Sequence, residues 1–168
     1  MNEIFDKIVY NHWANLRLAD AVSELDKNQF SKLITSSFPS IQETMVHIVW
    51  AEVLWLERWQ GKTFSPALEP GDYPDSDHIK KKFESLYKNQ IRFLKKLEPG
   101  SGDQKVSYIN FKGEKWTYTL SQTVEHLIVH SAYHRGQLVT LLRQSGVEPP
   151  NTDYLQFIDS QPDYKASL

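Results

Sequence analysis

Residues 120–144 read LSQTVEHLIVHSAYHRGQLVTLLRQ, and this stretch decides the fold. Its periodicity predicts one long helix, stopped by Gly146 and Pro149-Pro150. His126, His130 and His134 follow one another at intervals of four. Each step of four turns the helix about 40° past a full revolution and climbs roughly 6 Å. Neighbouring histidines therefore share a face, and an i, i+4 imidazole pair can converge on one ion. The outer two stand about 12 Å apart along the axis, too far for both to reach one ion through bonds of ~2.1 Å. Two of the three can be ligands, and spacing alone leaves both adjacent pairs open. Packing is the other reading of the stripe, although three buried imidazoles would need three polar partners.

A third ligand has to come from another helix. One begins after Phe38-Pro39-Ser40, where Ser40 is an N-cap with Glu43 three residues on, and its apolar positions from Ile41 to Leu56 run to a stop at Gly61. His47 is its only histidine, on a stripe with Thr44, Ile48 and Ala51. Upstream, Ile4, Phe5, Ile8, Val9, Trp13, Leu16 and Ala19 predict a first helix from about Asn2 to Leu25. Phe64 to Pro74, with three prolines and a glycine, reads as loop. A third helix is expected from Asp75-Ser76-Asp77 to Leu97, ended by Pro99-Gly100-Ser101-Gly102. Val106–Ile109 and Lys115–Tyr118 then suit a small hairpin around Asn110 to Gly113, and Asp153 to Ile158 a short helix packing back on the rest. The expected fold is all-α: one domain over residues 1–168, an up-down-down-up four-helix bundle with a small hairpin between helices three and four.

Composition narrows the function. With 40% hydrophobic and 24% charged residues, the 168-residue chain is neither disordered nor a membrane protein. Nineteen basic against 21 acidic residues give a charge of −2, which argues against a nucleic-acid binder. The absence of cysteine removes disulfides, thiolate metal ligands and a cysteine nucleophile. No basic region followed by an apolar run opens the chain, so a cytoplasmic location is expected. Of the other histidines, His78 reads as a solvated surface group and His12 as a core or rim residue satisfied by one hydrogen bond.

The string HSAYHRGQ, preceded by His126, resembles the last helix of the DinB/YfiT-like family, with its H-x-x-x-H-R-G-Q signature. YNHWANLRL in the first helix is similar to that family's Y-N-x-W-A-N-x-R segment. SIQETMVHIVWAEVLWLERWQG resembles its second helix, where a metal-binding histidine precedes an acidic-x-x-W-L-x-R run. VSYINFKGEKWTYTLSQTVEHLIVH is similar to its connection into the fourth helix, so the resemblance spans nearly the whole chain. It implies His47, His130 and His134 as the ligands of one divalent ion, zinc or nickel first, with manganese or iron(II) as alternatives. His126 is then left as a pocket neighbour and a candidate catalytic group.

The resemblance also implies a homodimer, and a metal-dependent enzyme acting on a small molecule. The leading version is a thiol S-transferase using a low-molecular-weight thiol, with a metal-dependent hydrolase or a non-catalytic, stress-induced metal-binding dimer as alternatives. A cysteine-free chain would take that thiol as substrate. No carboxylate of the H-E-x-x-H kind adjoins the histidine pair, which weighs against a peptidase-like hydrolase. Around the ligands, Gly136 is expected to admit a neighbouring helix or ring. Arg135 and Gln137 are expected to pair with acids or loop carbonyls. Glu43 reads as a cap, and Glu52 as the acid of a buried salt bridge with Arg17 or Arg58. Tyr133 and Trp50 are candidate pocket aromatics, although packing is the commoner role for such residues.

Overall fold

The computed structural model describes residues 2–62 and 65–161. Its helices are α1 (Asn2–Val22), α2 (Lys27–Ser31), α3 (Ile41–Trp59), α4 (Ser76–Leu94), α5 (Leu120–Gln144) and α6 (Tyr154–Ser160), with strands β1 (Lys105–Ile109) and β2 (Lys115–Thr119) between α4 and α5. The protein is thus mostly helical with one small sheet. Short 3-10 turns occupy Pro70–Asp72 and Ser101–Asp103. The expected loop from Phe64 to Pro74 contains the first of these, and Phe64 itself lies outside the described residues.

Local chemistry sets the boundaries. The Ser40 hydroxyl accepts from the Glu43 N–H and starts α3, while Asp75 does the same for α4 through His78. At α5 a full capping box forms, with Thr119 accepting from the Gln122 N–H and the Gln122 side chain from the Thr119 N–H. Gly146, at φ +82°, takes the left-handed conformation that ends α5, and the Val147 N–H closes back on the Leu142 carbonyl. The first helix stops at Val22, earlier than its periodicity suggests, and a box between Asp26 and Gln29 starts α2. The sequence reading had no helix there.

Helix α1 packs on α4 and α5, and α3 packs on the same two helices. Their shared core includes Ile8, Ala14 and Leu18 of α1 and Met45, Ile48 and Val49 of α3. Ile79 and Phe83 of α4 and Val124, Leu127, Leu138 and Leu142 of α5 complete it. Each is closed off from water, and truncating such a side chain to alanine typically costs about 2–5 kcal/mol. The Trp59 indole N–H donates to Thr123 Oγ1 at 3.0 Å, which ties the end of α3 to the start of α5. Helix α6 lays Phe157 against Tyr10 and Trp13 of α1, so the last segment packs back as expected.

The hairpin pairs antiparallel from Lys105↔Thr119 to Ile109↔Lys115. Asn110 shapes its tip by accepting from the Lys112 and Glu114 N–H groups, and Gly113 takes φ +81° there. The hairpin delivers the chain directly into α5. No helix among the described residues is long and apolar enough to cross a membrane.

Candidate metal centre

Helices α3 and α5 face each other, and this contact brings His47 to the pair one turn apart on α5. One ring nitrogen from each of His47, His130 and His134 lies within 4.8 Å of the other two. The Nε2 atoms of His47 and His130 are 3.0 Å apart. His134 is 6% exposed, and the other two are half-buried. Ring centroids are 4.5 Å apart for both His47–His134 and His130–His134. Phe38 covers the group, 4.3 Å from the His47 ring and 5.5 Å from that of His134.

The tautomer of His134 follows from its neighbours. Its Nδ1 is 2.8 Å from Gln137 Oε1, and the Gln137 amide nitrogen donates to Ser37 Oγ at 2.8 Å. That orientation makes Gln137 the acceptor, puts the His134 proton on Nδ1, and leaves the Nε2 lone pair for the centre. Burial, then the neighbouring imidazoles, lowers the pKa values of His47 and His130 from 6.5 to about 4. Both rings are therefore neutral, with lone pairs available, across the physiological range. Three such nitrogens from two helices could hold a divalent ion, and the donor set suits zinc, nickel, manganese or iron(II).

His126 stays outside this group. Its ring stands 6.0 Å from that of His130 and edge-on to Trp55 at 5.2 Å. Desolvation, with the Arg58 cation adding to it, lowers its pKa. It lines a cavity of about 340 Å³ with Trp55, Tyr108, Tyr118, Gln122 and Thr123. A second cavity, of about 320 Å³, opens beside His47 and includes Phe38, Glu43 and Trp50. Trp50 is thus a pocket aromatic, and its indole N–H donates to the Pro66 carbonyl. Tyr133 is 64% exposed and touches only the edge of His134. His78 is a surface group bonded to Asp75, as expected, whereas His12 stacks on Tyr87 at 4.1 Å with the rings nearly parallel.

Around the ligands, Glu52, Arg135, Gly136 and Gln137 each depart from expectation, Gln137 by meeting His134 and Ser37 rather than an acid or a loop carbonyl. Glu52 is buried as expected but meets neither Arg17 nor Arg58. It accepts from Asn11 and Asn15 of α1 at 2.8 and 2.6 Å, and from Gln90 of α4 at 3.1 Å. Arg135, 2% exposed, donates to the side-chain carbonyls of the same two asparagines at 2.7 and 2.9 Å, where acids or loop carbonyls were expected. A β-carbon added at Gly136 would meet nothing within 4 Å, so no close neighbour explains that glycine. Sequence reasoning missed Gln137 as the partner of His134, although its i, i+3 position on the same helix was the available signal.

Comparison with known proteins identifies the family. The family model described as DinB family matches residues 1–166. Protein DinB of Bacillus subtilis (strain 168) is 30% identical to this chain, over 86% of its length and 87% of that protein's. A DinB-like protein from Bacillus cereus ATCC 10987 superposes with a TM-score of 0.70 at 18% identity, covering 90% of this chain and 96% of that one. A DinB-like protein from Bacillus subtilis does so with a TM-score of 0.64 at 14% identity, covering 90% and 98%. The chain belongs to the DinB family.

Proposed function

We propose that His47, His130 and His134 hold one divalent ion, zinc or nickel in preference to manganese or iron(II), in a metal-dependent enzyme that activates a small thiol for transfer. The observation that carries this reading is the convergence of three imidazole nitrogens within 4.8 Å, one of them oriented by Gln137. An ion in that place supplies Lewis acidity, which lowers the pKa of a small thiol or a water near neutral pH. Three protein ligands leave coordination positions for such a group, as catalytic sites do. Phe38 and Trp50 pack their rings against His47 on the α3 side. In this reading His126 takes a proton from the incoming thiol, which its place one turn from His130 and beside the aromatic cavity supports.

No carboxylate joins the three histidines among the described residues, which favours thiol transfer over hydrolysis driven by a glutamate base. The ring of contacts joining α1, α4, α3 and α5 supports an up-down-down-up bundle forming a single domain. A cytoplasmic homodimer completes the reading, and exposed Val129 and Tyr133, one turn apart on α5, offer it an apolar face. The test is conjugation of a model electrophile with a panel of small thiols. Metal-loaded protein should exceed both the chelated protein and His130→Ala. No rate above these controls with any thiol would leave a non-catalytic metal-binding protein instead.

A further inference from the structure

A buried guanidinium without a carboxylate lies three turns along α3 from His47. Arg58 is 8% exposed, yet no acidic group of the described residues forms an ion pair with it. Its Nε is shut off from solvent with no hydrogen-bond partner. Glu57, the nearest acid in sequence, meets Lys62 through Oε1, and its Oε2 is buried without a hydrogen-bond partner. Ser65 is 3% exposed, and its Oγ has no partner either. Both residues line one cavity of about 390 Å³, walled otherwise by Leu54 and by Ile109, Asn110, Phe111 and Gly113 of the hairpin.

An uncompensated buried cation and an unpaired buried hydroxyl are both costly to a fold, and here they share one cavity. The guanidinium lies 3.8 Å from the Tyr108 ring centroid and 4.9 Å from that of Trp55. Those aromatic contacts hold its flat faces but give the Nε–H no acceptor. A guanidinium with a buried, unpartnered Nε–H beside a free hydroxyl can pair with the planar oxygens of a carboxylate.

The position relates this cavity to the histidines. Eleven residues separate His47 from Arg58, which is within about 20° of three full turns and roughly 16 Å along the helix. Trp50 lies between them on the same side of α3, its ring 5.8 Å from His47 and 5.7 Å from Phe111. A second wall runs from His130 through His126 to Trp55, whose ring carries Arg58. We propose that Arg58 and Ser65 form an anion subsite that seats the carboxylate of an elongated small organic acid, whose other end reaches the histidine group. As a statement about substrate class this rests on the reading of the histidines as a reaction centre, whereas carboxylate binding itself does not.

The experiment titrates hexanoate into the protein, with 1-hexanol as the uncharged control, followed by calorimetry and by tryptophan fluorescence from Trp55. Both metal-loaded and chelated protein are used, and metal content is measured in parallel. Hexanoate should bind both forms alike and hexanol should bind far more weakly. Arg58→Met should lose at least about tenfold in hexanoate affinity, as expected for a charge-assisted pair, while keeping the wild-type metal content. Ser65→Ala should lose a smaller factor, and it carries the test together with Arg58→Lys if Arg58→Met does not fold. Equal affinity in wild type and variants, no preference for hexanoate over hexanol, or binding only when metal is loaded would each overturn the subsite. Failure of the metal reading would show separately, as absent metal in a protein that still binds hexanoate.

Discussion

Two polar clusters sit on the same pair of helices and are built on opposite terms. Glu52 follows His47 by five residues on α3, and Arg135 follows His134 by one on α5. Those offsets rotate the pair by roughly 140° and 100° away from the histidines, into the interior. There the charges are closed off: Asn11 and Asn15, one turn apart on α1, each donate to Glu52 and accept from Arg135, and Gln90 fills the other carboxylate oxygen. On the histidine side, ring nitrogens face one another, and Arg58 and Ser65 hold buried donors without partners. A fold tolerates unmet polar groups where a ligand meets them, and meets its own elsewhere. That difference sets Glu52 and Arg135, whose partners join the helices, apart from Arg58 and Ser65, whose donors have none.

The largest stability effect belongs to Arg135→Ala, which strips two buried asparagine carbonyls of their donor and leaves Glu52 without its nearby cation. A loss of about 3–5 kcal/mol is expected in denaturant unfolding, as for other buried charges deprived of a partner. If the loss were below about 1 kcal/mol, the closed cluster would not be holding the helices. On the open side, Gln137→Ala should change stability little and weaken metal binding by about 10–100-fold in a competition titration, because it frees the His134 ring. An unchanged affinity would mean that Gln137 does not fix the ring.

The pH dependence of stability gives a third test, at Glu52. Burial raises its pKa from 4.5 to about 7, outweighing the opposing pull of Gln90, Arg135 and the two asparagines. The folded state therefore holds this proton more tightly than the unfolded state. That contribution is fully present below about 4.5 and is lost as pH rises through about 7. Glu52→Gln should flatten this part of the stability profile, and an identical slope in the variant would place the dependence elsewhere. The smallest effect is expected at Gly136, exposed and with open space around its α-carbon. Alanine there should add up to about 1 kcal/mol through helix propensity, and a loss would reveal a neighbour.

How far the sequence discloses all this depends on the range of each interaction. The i, i+4 stripe on α5 was legible because helical geometry is local, and so were the caps of α3, α4 and α5. Choosing His130–His134 over His126–His130 was not a matter of spacing, since both pairs share a face. In space, His47 comes together with His130 and His134 and not with His126, and in the sequence only the family resemblance favours that pair. The asparagine bridge was illegible because its five residues come from four helices. The assignment of Glu52 to Arg17 or Arg58 failed for the same reason: burial could be guessed from the pattern, but the partner could not. Helix α2 was missed although Asp26 and Gln29 carry the capping signature, because five residues show no periodicity. Gly136 shows the opposite error, a packing explanation given to a glycine with nothing packed on it.

The central claim is that His47, His130 and His134 hold one divalent ion, and elemental analysis of protein purified without tag or chelator tests it most directly. The account predicts close to one ion per chain in the wild type and a loss of nearly all of it in His47→Ala, with the helical fold retained by circular dichroism. A wild type that holds no divalent metal even after reconstitution, or a His47→Ala variant that keeps its ion, would contradict it.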